Sequence, residues 1–154
     1  MKRTYILLSL VLASVAGGSA VASANGGAPD ARASAAAKLE LRHTHLGSIL
    51  TTSAGFTVYE FTRDHAGEDS CVKIHACTKT WPPLQTSGKP LAGPGVNAAL
   101  LSTIRLADGA QQVTYAGHAL YTYVGDSSGS IGYVGIEAFG GNWDALSASG
   151  HAVK

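Results

Sequence analysis

Tyr59-Glu60-Phe61-Thr62-Arg63-Asp64 returns 62 residues later as Tyr121-Thr122-Tyr123-Val124-Gly125-Asp126. The same offset relates Trp81 to Trp143, Leu84 to Leu146 and Gly88 to Gly150, as well as Gly47 to Gly109, Thr52 to Thr114, Gly55 to Gly117 and Ile74 to Ile136. No gap is needed across residues 47–92 and 109–154, so the two windows are an internal duplication. Residues kept in both copies serve the fold. A residue with a unique chemical task should stand in one copy only.

Outward from the motif, the second copy shows its elements most clearly. Ser102 to Ala107 alternates apolar and polar residues, Asp108-Gly109 is a hairpin turn signal, and Gln111 to Tyr115 alternates again before Ala116-Gly117 turns. Leu120 to Val124 is β-rich and Gly125 to Gly132 is a loop. Tyr133 to Phe139 and Trp143 to Leu146 are two further short strands, broken by Gly140-Gly141. The first copy follows the same order in Leu39–His45, Ser48–Thr52, Phe56–Thr62 and Trp81–Leu84, with Cys71–Cys77 in place of the Tyr133–Phe139 strand. A short helix fits between Val96 and Leu101. No long helical period occurs. The pattern predicts an all-β domain, a tandem repeat of two β-meanders with pseudo-two-fold symmetry that forms one small sandwich or barrel.

The amino terminus has the pattern of an export signal. Lys2 and Arg3 precede an apolar run from Ile6 to Ala16, which is too short to span a bilayer, and Ala22-Ser23-Ala24 suits cleavage. This places a signal peptide at 1–24, a flexible Ala/Gly-rich spacer at 25–38 and a single β domain at 39–154, with repeats at about 39–92 and 101–154. The mature chain is then secreted or periplasmic, with no membrane span. Without Lys2 and Arg3, nine basic residues face ten acidic ones, a net charge of −1 with histidines neutral. No basic patch is present, which disfavours nucleic acid.

Cys71 and Cys77, in an exported chain, are expected to form a disulfide. Five residues separate them, which does not fit a CxxC redox pair. In the duplicated motif, strand alternation puts Tyr59 and Phe61 on one face, and Tyr121 and Tyr123 likewise. Asp64 and Asp126 fall where each strand ends, where a carboxylate closes the next loop by accepting backbone N–H groups. The functional alternative is an aromatic platform with a carboxylate beside it, for a sugar or peptide. Calcium would enlist Glu68 and Asp69 near Asp64, but no such acids accompany Asp126. Trp81 and Trp143 are expected to be paired core anchors. His43 and His45 flank Thr44 on an expected strand and are weak metal candidates, because a competent site needs three or four ligands. Gly125-Asp126-Ser127-Ser128-Gly129 has the spacing of a hydrolase elbow but lacks the helix that should follow it. No catalytic residue and no cofactor are expected.

The chain resembles a bacterial family of secreted repeat proteins with a Y-x4-D motif, some of them predicted lipoproteins. The resemblance rests on Tyr59 to Asp64, Ser70 to Leu84, Asp108 to Asp126 and Phe139 to Trp143. It implies export and a tandem repeat, and it carries no established activity. Unlike the lipoprotein members, the chain has no cysteine immediately after the apolar run. The function expected is a secreted, non-enzymatic binding or structural module with an unknown envelope or extracellular partner. The alternative is a small-ligand or metal-binding protein using the duplicated motif or His43 and His45.

Overall fold

The computed structural model describes residues 35–154. The signal peptide expected at 1–24, and the spacer up to residue 34, lie outside these residues. The first strand opens at Lys38, the last residue of the expected spacer.

Each copy begins with a hairpin. In the first, β1 (Lys38–Thr44) pairs antiparallel with β2 (Gly47–Thr52). Leu39 on β1, and Ile49 and Leu50 on β2, are fully buried. Next come β3 (Tyr59–Phe61), a 3-10 turn at Cys71–Lys73, one α-helical turn, α1 (Cys77–Thr80), β4 (Gln85–Thr86) and β5 (Leu91–Ala92). A 3-10 turn at Ala98–Leu100 supplies the expected short helix, with the Asn97 side chain accepting from Ala99 N at 3.0 Å. The second copy contains β6 (Leu101–Arg105), β7 (Gln111–Tyr115), β8 (His118–Ala119), β9 (Ile136–Ala138), β10 (Gly141–Leu146) and β11 (Ala152–Val153). The β6–β7 turn falls on Asp108-Gly109: Leu106 N donates to Ala110 O at 2.9 Å, and Gly109 takes φ 88°.

The fold is all-β, as expected, but its sheets stay open and do not form a barrel. They run β2-β1-β5, β11-β10-β3 with β9 also on β10, and β4-β7-β6 with β8 also on β7. Two of these pairings cross between repeats, β3 with β10 and β4 with β7. The repeats therefore interlock. At the centre Tyr59 N donates to Tyr121 O at 3.0 Å, and Tyr121 N donates to Tyr59 O at 2.9 Å. This contact maps onto itself under the 62-residue offset, as a pseudo-two-fold axis between the two tyrosines requires.

Several expected strands are shorter or replaced. The counterpart of the β3–β10 ladder is a single bridge from Pro83 to Tyr121, flanked by bonds from Thr122 N to Pro82 O and from Val124 N to Thr80 O, both 3.1 Å. Pro82 and Pro83 carry no N–H, so no ladder forms over Trp81–Leu84 or Leu120–Val124. Tyr133–Phe139 keeps strand pairing only over β9. The Cys71–Cys77 segment forms helical turns instead of a strand.

Both copies contribute to each of two core clusters. One is mainly aliphatic, around Leu39, Leu50, Val58, Val113, Leu120 and Leu146. The other holds Tyr59, Phe61, Trp81, Tyr121, Trp143 and both cysteines. Cys71 and Cys77 are bonded, with Cα atoms 5.4 Å apart. Alkylation of native protein followed by intact-mass measurement should show no free thiol. Reduction should cost about 2 kcal/mol for so short a loop, read as a lower denaturation midpoint; a midpoint unmoved by reduction would refute this.

Candidate functional site built on the duplicated motif

Tyr59 and Phe61 lie on β3 and turn inward together, as alternation predicts, so they are buried. Their counterparts differ. Tyr121 is fully buried, whereas Tyr123 is partly exposed. Trp81 and Trp143 stack face to face, with ring centroids 4.1 Å apart and planes 4° from parallel. Phe61 stacks on the outer face of Trp143 at 4.2 Å, and Tyr123 covers the outer face of Trp81 at 4.6 Å. Tyr59 meets Trp81 edge-on, and Tyr121 meets Trp143 edge-on, both at 5.1 Å. Each edge contact stays within one repeat, and each stacking contact joins the two repeats.

The carboxylates complete this exchange. Tyr59 OH donates to Asp126 Oδ2 at 2.8 Å, and Tyr121 OH donates to Asp64 Oδ2 at 2.7 Å. The tyrosine of each motif thus bonds to the aspartate of the other. The expected backbone role appears only at Asp64, whose Oδ1 accepts from Ser70 N at 2.7 Å. Asp126 Oδ1 is buried and has no donor among the described residues. Burial pushes both carboxyls above the usual aspartate range, while the tyrosine hydroxyls pull them back. Burial, and then the bond to a carboxylate, lift both phenols well above the usual tyrosine value. With Tyr59, Tyr121 and both tryptophans buried, the motif presents no open aromatic platform.

The other candidates lie apart. Asp69 accepts from Val72 N through Oδ1 at 3.0 Å, and exposed Glu68 faces Lys73 at 3.7 Å. His43 is exposed, with Nδ1 2.7 Å from Ser48 Oγ. His45 is exposed too, but lies beyond the end of β1, so the two histidines do not share a strand face. Among the described residues, no three His, Cys, Asp or Glu side chains are grouped to hold a metal ion. Residues 125–129 run through turns with no helix after them.

A charged cluster on the back of the central strands went unread in the sequence. Glu60 lies between Tyr59 and Phe61, and Asp144 follows Trp143, so both point away from the aromatic core. They pair directly across β3 and β10. Only 6% of Glu60 and 1% of Asp144 is exposed. His118 Nδ1 contacts Glu60 Oε2, and Lys154 Nζ lies 3.7 Å from Asp144 Oδ2. The signal was available: two acids at strand positions, each next to a core aromatic, with uncharged Thr122 and Pro82 at their 62-residue counterparts.

Among the described residues no helix is long and apolar enough to cross a membrane. No curated protein and no solved structure matches the chain. A family model described as a secreted repeat of unknown function matches residues 41–85 and again residues 102–147, which are the two interlocked halves described above. Together these matches span more than half of the chain, and the protein belongs to that family of secreted repeats.

Proposed function

We propose that this domain is a non-enzymatic binding or structural module of the cell envelope or extracellular space. The observation that carries this reading is the reciprocal Tyr–Asp exchange. The residues that define the motif are spent on joining the repeats, at 2.7 and 2.8 Å, and so are not available to a ligand. The contact surface then lies elsewhere. Among the described residues, a groove of about 320 Å³ between the disulfide segment and the β6–β7 turn, lined by Val72, Pro83, Leu106 and Ala107 among others, is an apolar candidate. Val72 is half exposed there, and apolar surface at a groove is where partners gain most.

Co-sedimentation of the secreted protein with isolated envelope fractions tests the proposal. Saturable retention is expected, and Val72→Asp should weaken it without moving the denaturation midpoint. Protein that stays in the supernatant at every envelope concentration would count against the module reading. A stoichiometric metal in untagged protein, with a chelator-sensitive melting temperature, would favour a metal-binding protein instead.

A further inference from the structure

Glu60 and Asp144 face one another across β3–β10, a strand pair that joins the two repeats. Like charges directly opposite in a ladder destabilise it, and among the described residues neither Asp144 oxygen receives a hydrogen bond. The charged groups facing the pair are His118, on β8, and Lys154, just beyond β11. Two carboxylates need two cations. Lys154 supplies one, and His118 supplies the other only while protonated. None of the four has a charged counterpart in the other half, where Thr122, Pro82, Phe56 and Ala92 stand. The duplicated fold is therefore built without this cluster once and with it once.

We propose that Glu60, Asp144, His118 and Lys154 form a proton-dependent joint between the repeats, tight while His118 is protonated and looser once it is neutral. With the imidazole charged, two negative groups meet two positive ones. When the imidazole loses its proton, one ladder carboxylate is left uncompensated and repels its neighbour or takes up a proton. Burial raises the proton affinity of Glu60; His118 then lowers it and Asp144 raises it. A carboxyl raised in the folded state contributes stability that is complete below its unfolded value and is lost as pH rises through the folded one. Glu60 therefore weakens the joint as pH rises from acidic toward mildly alkaline values.

Amide hydrogen exchange on the full secreted chain tests this, at about pH 5.5 and about pH 8, corrected for intrinsic rates. Two amides report the joint: Thr62 N, which donates to Asn142 O at 3.0 Å, and Asn142 N, which donates to Thr62 Oγ1 at 2.8 Å. Thr52 N, which donates to Phe56 O within the first repeat at 2.8 Å, is the reference. Relative to Thr52, the protection of Thr62 and Asn142 should fall roughly tenfold between the two pH values, the size expected for about one pH unit of linked proton affinity. The fall should be clearly smaller in Asp144→Asn, which leaves a single carboxylate for Lys154. Glu60→Gln removes the raised carboxyl itself, should flatten the fall further, and supplies the test if the first variant does not fold. In carbon-13 spectra the Glu60 carboxyl midpoint should move down in Asp144→Asn and up in His118→Gln. Relative protection that ignores pH in the wild type, or falls equally in both carboxylate variants, would overturn the proposal.

Discussion

Trp143→Ala should lower the stability of the domain by about 3–5 kcal/mol, the range for truncating a large buried aromatic side chain. Trp143 is fully buried, and both faces of its indole are covered, by Phe61 at 4.2 Å and Trp81 at 4.1 Å. Tyr121 closes its edge, and its Nε1 donates to Ala138 O at 3.2 Å. Trp81→Ala removes an equivalent ring, but Trp81 Nε1 has no acceptor among the described residues, so no such hydrogen bond is lost with it. The Trp143 variant should therefore be the worse of the two by about 1 kcal/mol, the usual net worth of one hydrogen bond. The double variant should cost clearly less than the sum, because both single changes destroy the same stacked contact. Denaturant midpoints with the disulfide intact measure all three. A midpoint unchanged in either single variant would mean that the stack does not hold the repeats together.

That stack was largely legible in the sequence. Two tryptophans at matched places in a small domain have one common interior to share, and the structure sets them in contact at its centre. The hairpin turn at Asp108-Gly109 was legible because its chemistry is local. What was not legible is which copy supplies each partner. Tyr59 and Asp64 recur together, which suggests a contact within the motif, yet each is bonded to the other repeat. A reciprocal exchange between equal copies leaves the same trace in sequence as two local contacts, since the offset is 62 either way. Strand lengths were overread for a different reason. Val124 and Tyr123 have β-prone side chains, but the strand they would pair with contains Pro82 and Pro83, and side-chain propensity cannot replace missing N–H donors. The Glu60–Asp144 cluster leaves no trace in the repeat pattern, because its four members are residues that the two copies do not share.

Double-mutant cycles on the motif should separate the two pairings outright. Tyr59→Phe with Asp126→Ala should give a coupling of about 1–3 kcal/mol, because a buried hydroxyl and a buried carboxylate are each other's partner. Tyr59→Phe with Asp64→Ala, the pair within one motif, should be additive to within about 0.5 kcal/mol. The single substitutions should be unequal as well. Asp64→Ala strips an acceptor from both Tyr121 OH and Ser70 N, and should cost about 3 kcal/mol; Asp126→Ala orphans only the Tyr59 hydroxyl and should cost about half as much. Asp126→Asn keeps an oxygen for Tyr59 and buries no charge, so it should be nearly neutral. The same variant tests the pH sign. Burial raises the Asp126 carboxyl in the fold, so its contribution is complete below the unfolded aspartate value and is lost as pH rises through the raised one. Asp126→Asn should therefore flatten the fall in stability between acidic and neutral pH. Coupling within a motif and none across the repeats would instead describe two independent halves, and an interlocked domain does not allow that result.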